Sequence, residues 1–592
     1  MRRSLSTCTS LALLCASLLP ACGGGGGGGG GDLIGGDGIR VNQVGYSPDA
    51  QKLAVVVGGT ATAFTIVDAT TDLPAGAVDR PLSDASTFSL SGETVRVADF
   101  SDVTAPGTYR IEVADLDPSY EFEIGSGVYE SPALASLKAF YYWRASMPID
   151  QAHGGAWRRA AGHPNTGLRF HTSTHPADPE TETWDAPGGW YDAGDYGEYV
   201  VNAGITVGTM LALHELFPGA FPGDVAALNI PESTNEESDL LDEVKYELDW
   251  LLDMQDTDGG VFFKIAGLVW PGWIAPAQDN QPRYVIGKST TSALDFAAVM
   301  AQAARVYKEY DIPFANECLI AARGAYEWAL DNPDVAAPSV TGSGAYGDDD
   351  STDEFTWAAA ELYLTTQDPQ YLADPNLAAA LATIELDGYA GWKSVKNLAY
   401  YSLATRPSPL DATLRDGIRA AILAKADEHL ATMGGNAYRF PLGHYSWGSA
   451  SQVANVGVLL VYAAELAEDV DRPAYRNGAV QAADYVLGKN STGYSFLTGF
   501  GTRSPGRIHH RPSEADGARA PVPGLLTGGP NSGLQDLGNG TPPVRYTDRC
   551  SLQHPAFCFT DSLESFSSNE PAINQNAAAF FLFAALDALQ GD

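Results

Sequence analysis

The chain has 592 residues, 45% of them hydrophobic, which excludes a disordered protein and allows more than one domain with an ample core. It carries 73 acidic against 35 basic residues, a formal charge of −38. A surface that negative repels phosphate backbones, so nucleic acid is not an expected partner. A neutral polysaccharide is indifferent to such a surface, and a cationic sugar polymer is attracted to it.

The N-terminus predicts export. Arg2 and Arg3 form a charged start, and residues 11–19 form an apolar run too short to span a bilayer as a stable anchor. Leu19-Pro20-Ala21-Cys22 has the form of a bacterial lipobox. It predicts a signal peptide over residues 1–21, cleavage before Cys22 and lipidation of that thiol. Secretion without a lipid is the alternative. A glycine run at 23–31 makes residues 22–38 a flexible tether, and membrane contact is expected only through the anchor at Cys22. Cys318 falls in a helical pattern as a buried thiol. Cys550 and Cys558 lie close together in a loop-rich stretch and are candidates for a disulfide.

Residues 39–126 read as short strands, several of them alternating, separated by turn signals such as Ala105-Pro106-Gly107-Thr108. Strands this short and this closely spaced predict an immunoglobulin-like β-sandwich. From 127 to 592 the period turns helical. About twelve segments qualify, from 132–146 to 572–589, with Gly-, Pro- and aromatic-rich loops between alternate pairs. Helical hairpins of this number suggest two concentric rings with a cleft at one end. No fixed-period repeat supports a solenoid.

Three stretches carry chemistry. Residues 188–197 read Gly-Gly-Trp-Tyr-Asp-Ala-Gly-Asp-Tyr-Gly. Asp192 and Asp195 are separated by two small residues that leave room for a water, and Trp190 and Tyr191 offer flat apolar faces of the kind a sugar ring stacks on. In isolation such a pair reads first as acids at a helix start, and the case for chemistry rests on the other stretches. Glu570 opens the last helical segment, where burial would raise its pKa and fit it to act as an acid. Residues 495–501 form an aromatic-tipped turn, followed by His509-His510-Arg511, donors suited to hydroxyls or to a carboxylate.

Together these pieces resemble family 9 of the glycoside hydrolases, in its subgroup with an N-terminal immunoglobulin-like domain. The motifs that carry the resemblance are residues 40–46, 188–197, 487–501, 509–513 and 567–578, in that order over nearly the whole mature chain. The resemblance implies an (α/α)6 barrel and hydrolysis of β-1,4-linked glucan with inversion, with no cofactor required. It aligns Asp195 with the catalytic base, Asp192 with the carboxylate that helps hold the water, and Glu570 with the general acid. His510 and Arg511 fall on substrate-binding positions, with His509 less firmly placed. Trp190, Tyr191, Tyr445 and Trp447 are expected sugar contacts.

The sequence also departs from the family. Glu198 stands where a lysine is usual, Phe566 where a tyrosine is common, and Pro571 and Gln575 replace aliphatic and aromatic residues. Zinc-binding members use Cys and His; here His163, His171 and His175 occur without a cysteine. Asp349, Asp350, Asp353 and Glu354 match a calcium loop of some members, an oxygen-donor set that suits a hard cation. Lys393 replaces an expected aspartate and could take the ion's place. The expected enzyme is therefore a monomeric, exported β-1,4-glucanase of endo type acting on cellulose or cello-oligosaccharides. Two rival readings are an exo-acting β-glucosaminidase on chitosan oligosaccharides and a non-catalytic glycan-binding lipoprotein.

Overall fold

The computed structural model describes residues 36–174, 182–220, 228–235 and 237–589. The signal peptide, nearly all of the tether and His175 fall outside these residues.

The N-terminal part is a sandwich of two sheets. One runs Ile39–Arg40, Leu53–Val57, Glu93–Asp99, Ser86–Phe88 in spatial order. The other runs Gly45–Tyr46, Phe122–Ile124, Gly107–Val113, Ala63–Asp68, Leu73–Pro74, with Arg80–Pro81 also paired to Ala63–Asp68. Alternation decides the faces: along Gly107–Val113 the side chains of Tyr109, Ile111 and Val113 turn inward. They meet Ala54, Val56 and Ala98 of the opposite sheet in one core. Tyr46 locks the two sheets edge-on, with its ring 5.1 Å from Phe100 and 5.2 Å from Phe122.

The stretch 40–46 is the seam to the helical part. Asn42 Nδ2 donates to Asp484 Oδ1 at 2.9 Å, and the Gln43 amide N–H donates to the Leu487 carbonyl at 3.0 Å. Gln43 Nε2 reaches the Gly493 carbonyl at 2.8 Å, while its Oε1 accepts from the Arg503 N–H at 2.8 Å. A second contact is made by buried Glu93, which accepts from the Tyr438 hydroxyl at 2.7 Å and pairs with Arg549 at 2.8 Å. Buried polar groups need such partners, so the sandwich is fastened rather than tethered.

Two sets of helices follow. Val200–Leu216, Thr290–Val306, Thr352–Thr366, Lys396–Thr405, Ser449–Leu466 and Ile573–Ala588 are buried on almost every face. Each packs on the next, including a Tyr401–Tyr462 stack at 4.3 Å, and Ile573–Ala588 returns to pack on Val200–Leu216. Ile312–Asp331, Pro375–Thr383 and Ala412–Gly434 bury one side only, while Asp239–Asp253 is buried all round at its start and Arg472–Val486 at its end. Alanine- and glycine-rich faces allow the close approach: a Cβ on Gly208 would meet the Trp357 ring at 2.6 Å.

A small sheet escaped the sequence reading. It runs Thr183–Trp184, Leu168–Phe170, Tyr284–Lys288, Phe262–Ala266, Glu198–Tyr199 and lies between helices. Its strands have two to five residues, too few for a period-2 pattern to stand out. Cys550 and Cys558 are bridged, and Cys318 is a buried free thiol.

Candidate active site

The 188–197 loop is held down at both ends. The Tyr191 N–H donates to the Trp143 carbonyl at 2.9 Å, the Trp190 N–H to Glu247 Oε2 at 2.6 Å, and Trp143 Nε1 to the Ala193 carbonyl at 3.0 Å. Gly189 has a positive φ, and a Cβ there would strike Trp250 at 2.7 Å and Glu198 at 2.8 Å. The Ile573 N–H donates to the Asp192 carbonyl at 2.8 Å, which ties the last helix to this loop.

That tie brings Asp192, Asp195 and Glu570 to the wall of one cleft of about 1040 Å³. Both Asp192 oxygens are engaged: Oδ1 accepts from Asn202 Nδ2 at 2.5 Å and Oδ2 from the Tyr346 hydroxyl at 2.8 Å. Burial, then the neighbouring Asp195 charge, pushes its carboxyl up to about 7, against those two donors. Both side-chain hydrogen bonds that Asp195 makes to other residues fall on Oδ2, from the Gly197 N–H at 3.1 Å and the Tyr199 hydroxyl at 3.3 Å. Oδ1 is left for the cleft that Asp195 lines. Burial raises its carboxyl too, while Arg511 pulls it down.

Glu570 Oε1 accepts from the Gly194 N–H at 3.2 Å, and His509 Nε2 lies 3.9 Å away. Burial and then Asp195 push the Glu570 carboxyl well above the usual range, which favours its protonated form. Burial holds His509 near 4, and the ring is therefore neutral. Arg511 Nη1 and the Arg511 N–H both donate to the Gly194 carbonyl, at 2.9 and 3.0 Å.

Several expected sugar contacts lie elsewhere. Trp190 packs on Phe140 and donates Nε1 to Glu243 at 2.9 Å, wholly inside the core. Tyr191 is equally buried, with its hydroxyl 2.8 Å from His163 Nδ1. The backbone bonds that pin the loop turn both rings inward. Tyr445 stacks on Phe440 at 4.4 Å and meets the Tyr485 hydroxyl at 2.8 Å. His510 caps the short helix Arg511–Ala515 through Ser513, which withdraws it from the cleft; His509 is the imidazole that lines it.

Trp447 does line the cleft, 41% exposed, beside Phe566. Trp270, Trp273, Tyr346, Tyr389 and Trp392 join it. Of these, the Trp270-Pro271-Gly272-Trp273 loop had a readable signal, two indoles flanking a Pro-Gly turn. Glu198 points away from the cleft, paired with Arg283 and accepting from Asn165 at 2.8 Å.

The expected calcium ligands do not gather. Asp349 and Asp350 are exposed, and Asp350 accepts from the Thr352 N–H at 3.1 Å. Asp353 accepts from the Val395 N–H at 2.8 Å. Glu354 turns inward towards Asp295, and burial with these neighbouring carboxylates pushes its carboxyl far up, into the neutral form. Lys393 sits 3.7 Å from Asp348. Among the described residues no three His, Cys, Asp or Glu side chains meet as an ion would require, so the four do not fit calcium as placed. His163 is engaged by Tyr191 and Asp279, and His171 by Ser173.

Gly194 is where the two ends of the helical part touch. A Cβ there would lie 1.9 Å from the His509 carbonyl oxygen and 3.0 Å from Glu570 Oε1. Gly194→Ala must therefore displace the His509 backbone and crowd the Glu570 carboxyl. The expected loss in hydrolysis of a soluble β-1,4-glucan is about 100-fold, with circular dichroism unchanged. A parental rate in that variant would show that the junction has slack.

The description Glycosyl hydrolase family 9 matches residues 129–583, and Cellulase N-terminal ig-like domain matches residues 35–117. A xyloglucan-specific endo-β-1,4-glucanase of Bacteroides ovatus is 38% identical over 94% of this chain and 95% of its own length. Endoglucanase C of Cellulomonas fimi is 35% identical over 92% of this chain and 51% of its own. A solved Bacteroides ovatus family 9 structure superposes with a TM-score of 0.84 at 36% identity, covering 94% of this chain and 99% of that one. The chain belongs to glycosyl hydrolase family 9, in the group that carries an N-terminal Ig-like domain.

Proposed function

We propose that the chain is an endo-acting, inverting β-1,4-glucan hydrolase built on an (α/α)6 barrel. The observation that carries the reading is the contrast between two carboxyls on one cleft. Burial and the nearby Asp195 charge favour the protonated form of Glu570, while Asp195 keeps one oxygen unoccupied by other residues and Arg511 as a counter-charge. An acid and a base with environments pulled apart are what glycoside hydrolysis needs.

The step balances as follows. Glu570 gives its proton to the glycosidic oxygen as the C1–O bond breaks. Water adds to C1 from the opposite face, and Asp195 Oδ1 takes the water's proton. The products are a new 4-hydroxyl and a hemiacetal of inverted configuration, and solvent returns both carboxyls to their starting states. Asp192, fixed by Asn202 and Tyr346, lies beside Asp195 on the cleft wall and helps hold the water. Trp270, Trp273, Trp392 and Trp447 offer stacking faces along the cleft. The endo mode and the β-1,4-glucan backbone follow the relatives named endoglucanases, and the ring of inner helices supports the barrel.

We also propose that the chain acts as a monomer at the cell surface, held by a lipid on Cys22. The lipobox supports this, and labelling with a radioactive fatty acid tests it. Label should enter the parental chain and be lost in Cys22→Ser; equal label in both would remove the anchor.

For the chemistry, Glu570→Gln and Asp195→Asn are each expected to lower kcat on cello-oligosaccharides by about 100- to 10,000-fold while the fold is kept. A parental rate in either would misassign that residue.

A further inference from the structure

Behind the two aspartates stands a lysine that the proposed chemistry does not use. Lys264 lies in the strand Phe262–Ala266, directly opposite Tyr199 in the pair with Glu198–Tyr199. It is 0% exposed. Its ammonium donates to the Gly344 carbonyl at 2.7 Å and lies 5.4 Å from the centre of the Tyr199 ring. The carboxylates that act on it are Asp195 and Asp192.

The N–H of the same residue matters as much. The Gly344 N–H donates to the Tyr199 hydroxyl oxygen at 2.7 Å. With that oxygen already accepting, the Tyr199 proton is directed to Asp195 Oδ2. Two residues further along, Tyr346 donates to Asp192 Oδ2. One turn, residues 342–347, thus sets a donor on each aspartate, and Lys264 grips that turn at its centre. The turn has little room to move: a Cβ on Gly342 would strike the Leu268 backbone at 2.3 Å.

We propose that Lys264 is a positioning residue for hydrolysis: its ammonium holds the 342–347 turn that aims Tyr199 and Tyr346 at the aspartates, and supplies a positive charge behind them. The proposal rests on the assignment of Asp195 as base.

The sign of the effect follows from the charges. Asp195 is faced by Asp192, Arg511, Tyr199, Glu570 and Lys264; Asp192 is faced by Asp195, Glu570, Glu247, Asn202, Tyr199, Tyr346 and Lys264. Burial pushes Lys264 down to about 8, against the pull of the two aspartates, so it is charged at neutral pH. A cation favours the ionised carboxylate, and its removal makes the aspartates take up protons at higher pH. The base must be ionised to work, so the acidic limb of the pH profile moves up.

Two readouts test this. The first is the pH profile of kcat/KM on cellotetraose. In Lys264→Met the acidic limb should move up by about one pH unit, and Lys264→Arg should bring it back. The second is carboxyl titration by NMR in chain labelled with 13C-aspartate, where the apparent aspartate values should rise by the same amount. Lys264→Gln, which keeps a donor for Gly344 but no charge, carries the same expectation if Lys264→Met fails to fold. A rate lowered equally at every pH, with aspartate titrations unmoved, would overturn the proposal and leave Lys264 as packing. The NMR shift decides the matter whether or not the chain turns over glucan. A parental chain inert on cellotetraose would instead fault the proposed function.

Discussion

The site depends on one backbone junction. Gly194 gives its N–H to Glu570 and its carbonyl to Arg511, and its missing Cβ is the space through which residues 509–511 approach. The two carboxyls assigned opposite roles come from stretches separated by 375 positions, yet they meet at a single glycine residue. The adjacent link, from the Ile573 N–H to the Asp192 carbonyl, extends that junction into the last helix. Placing chemistry on helix ends braced by a packed ring is what holds reacting groups within tight tolerances.

Electrostatics then separates the roles. Three carboxyls lie on one buried wall, and burial raises all three. What differs is their company. Asp192 has a donor on each oxygen, Asp195 has one guanidinium and one open oxygen, and Glu570 has one backbone N–H and neighbouring negative charge. Like charges this close cannot all ionise, so the proton settles on the group with the least compensation. The neutral His509 beside Glu570 leaves that balance undisturbed. The acidic surface, with a net charge of −38, plays no part in this arrangement and suits a neutral glucan.

Much of this was legible in the sequence, for physical reasons. The acids of the 188–197 loop stood out because small residues and glycines surround groups that need close approach, whereas Glu570 alone reads as a helix-start acid and took its role from the family resemblance. The inner helices announced themselves by uniform alanine and leucine content, and the sandwich by alternation. Side-chain direction was not legible. Trp190 and Tyr191 sit next to Asp192 in sequence, yet the loop's backbone bonds turn them into the core. His509 and His510 differ by one position, and a helix cap, invisible to composition, decides which faces the cleft. Tyr199, Tyr346 and Lys264 were missed because a small sheet and a distant turn assemble them. The calcium expectation failed because adjacent acids at a helix start diverge: Asp350 serves the turn while Glu354 faces inward.

The central claim is that water attacks from the face opposite Glu570, activated by Asp195. Proton NMR of the first products from a β-1,4-linked oligosaccharide tests it most directly, before mutarotation mixes the anomers. The account predicts that the new reducing end forms in the α configuration. A β product formed first would mean a covalent, retaining route and would contradict it.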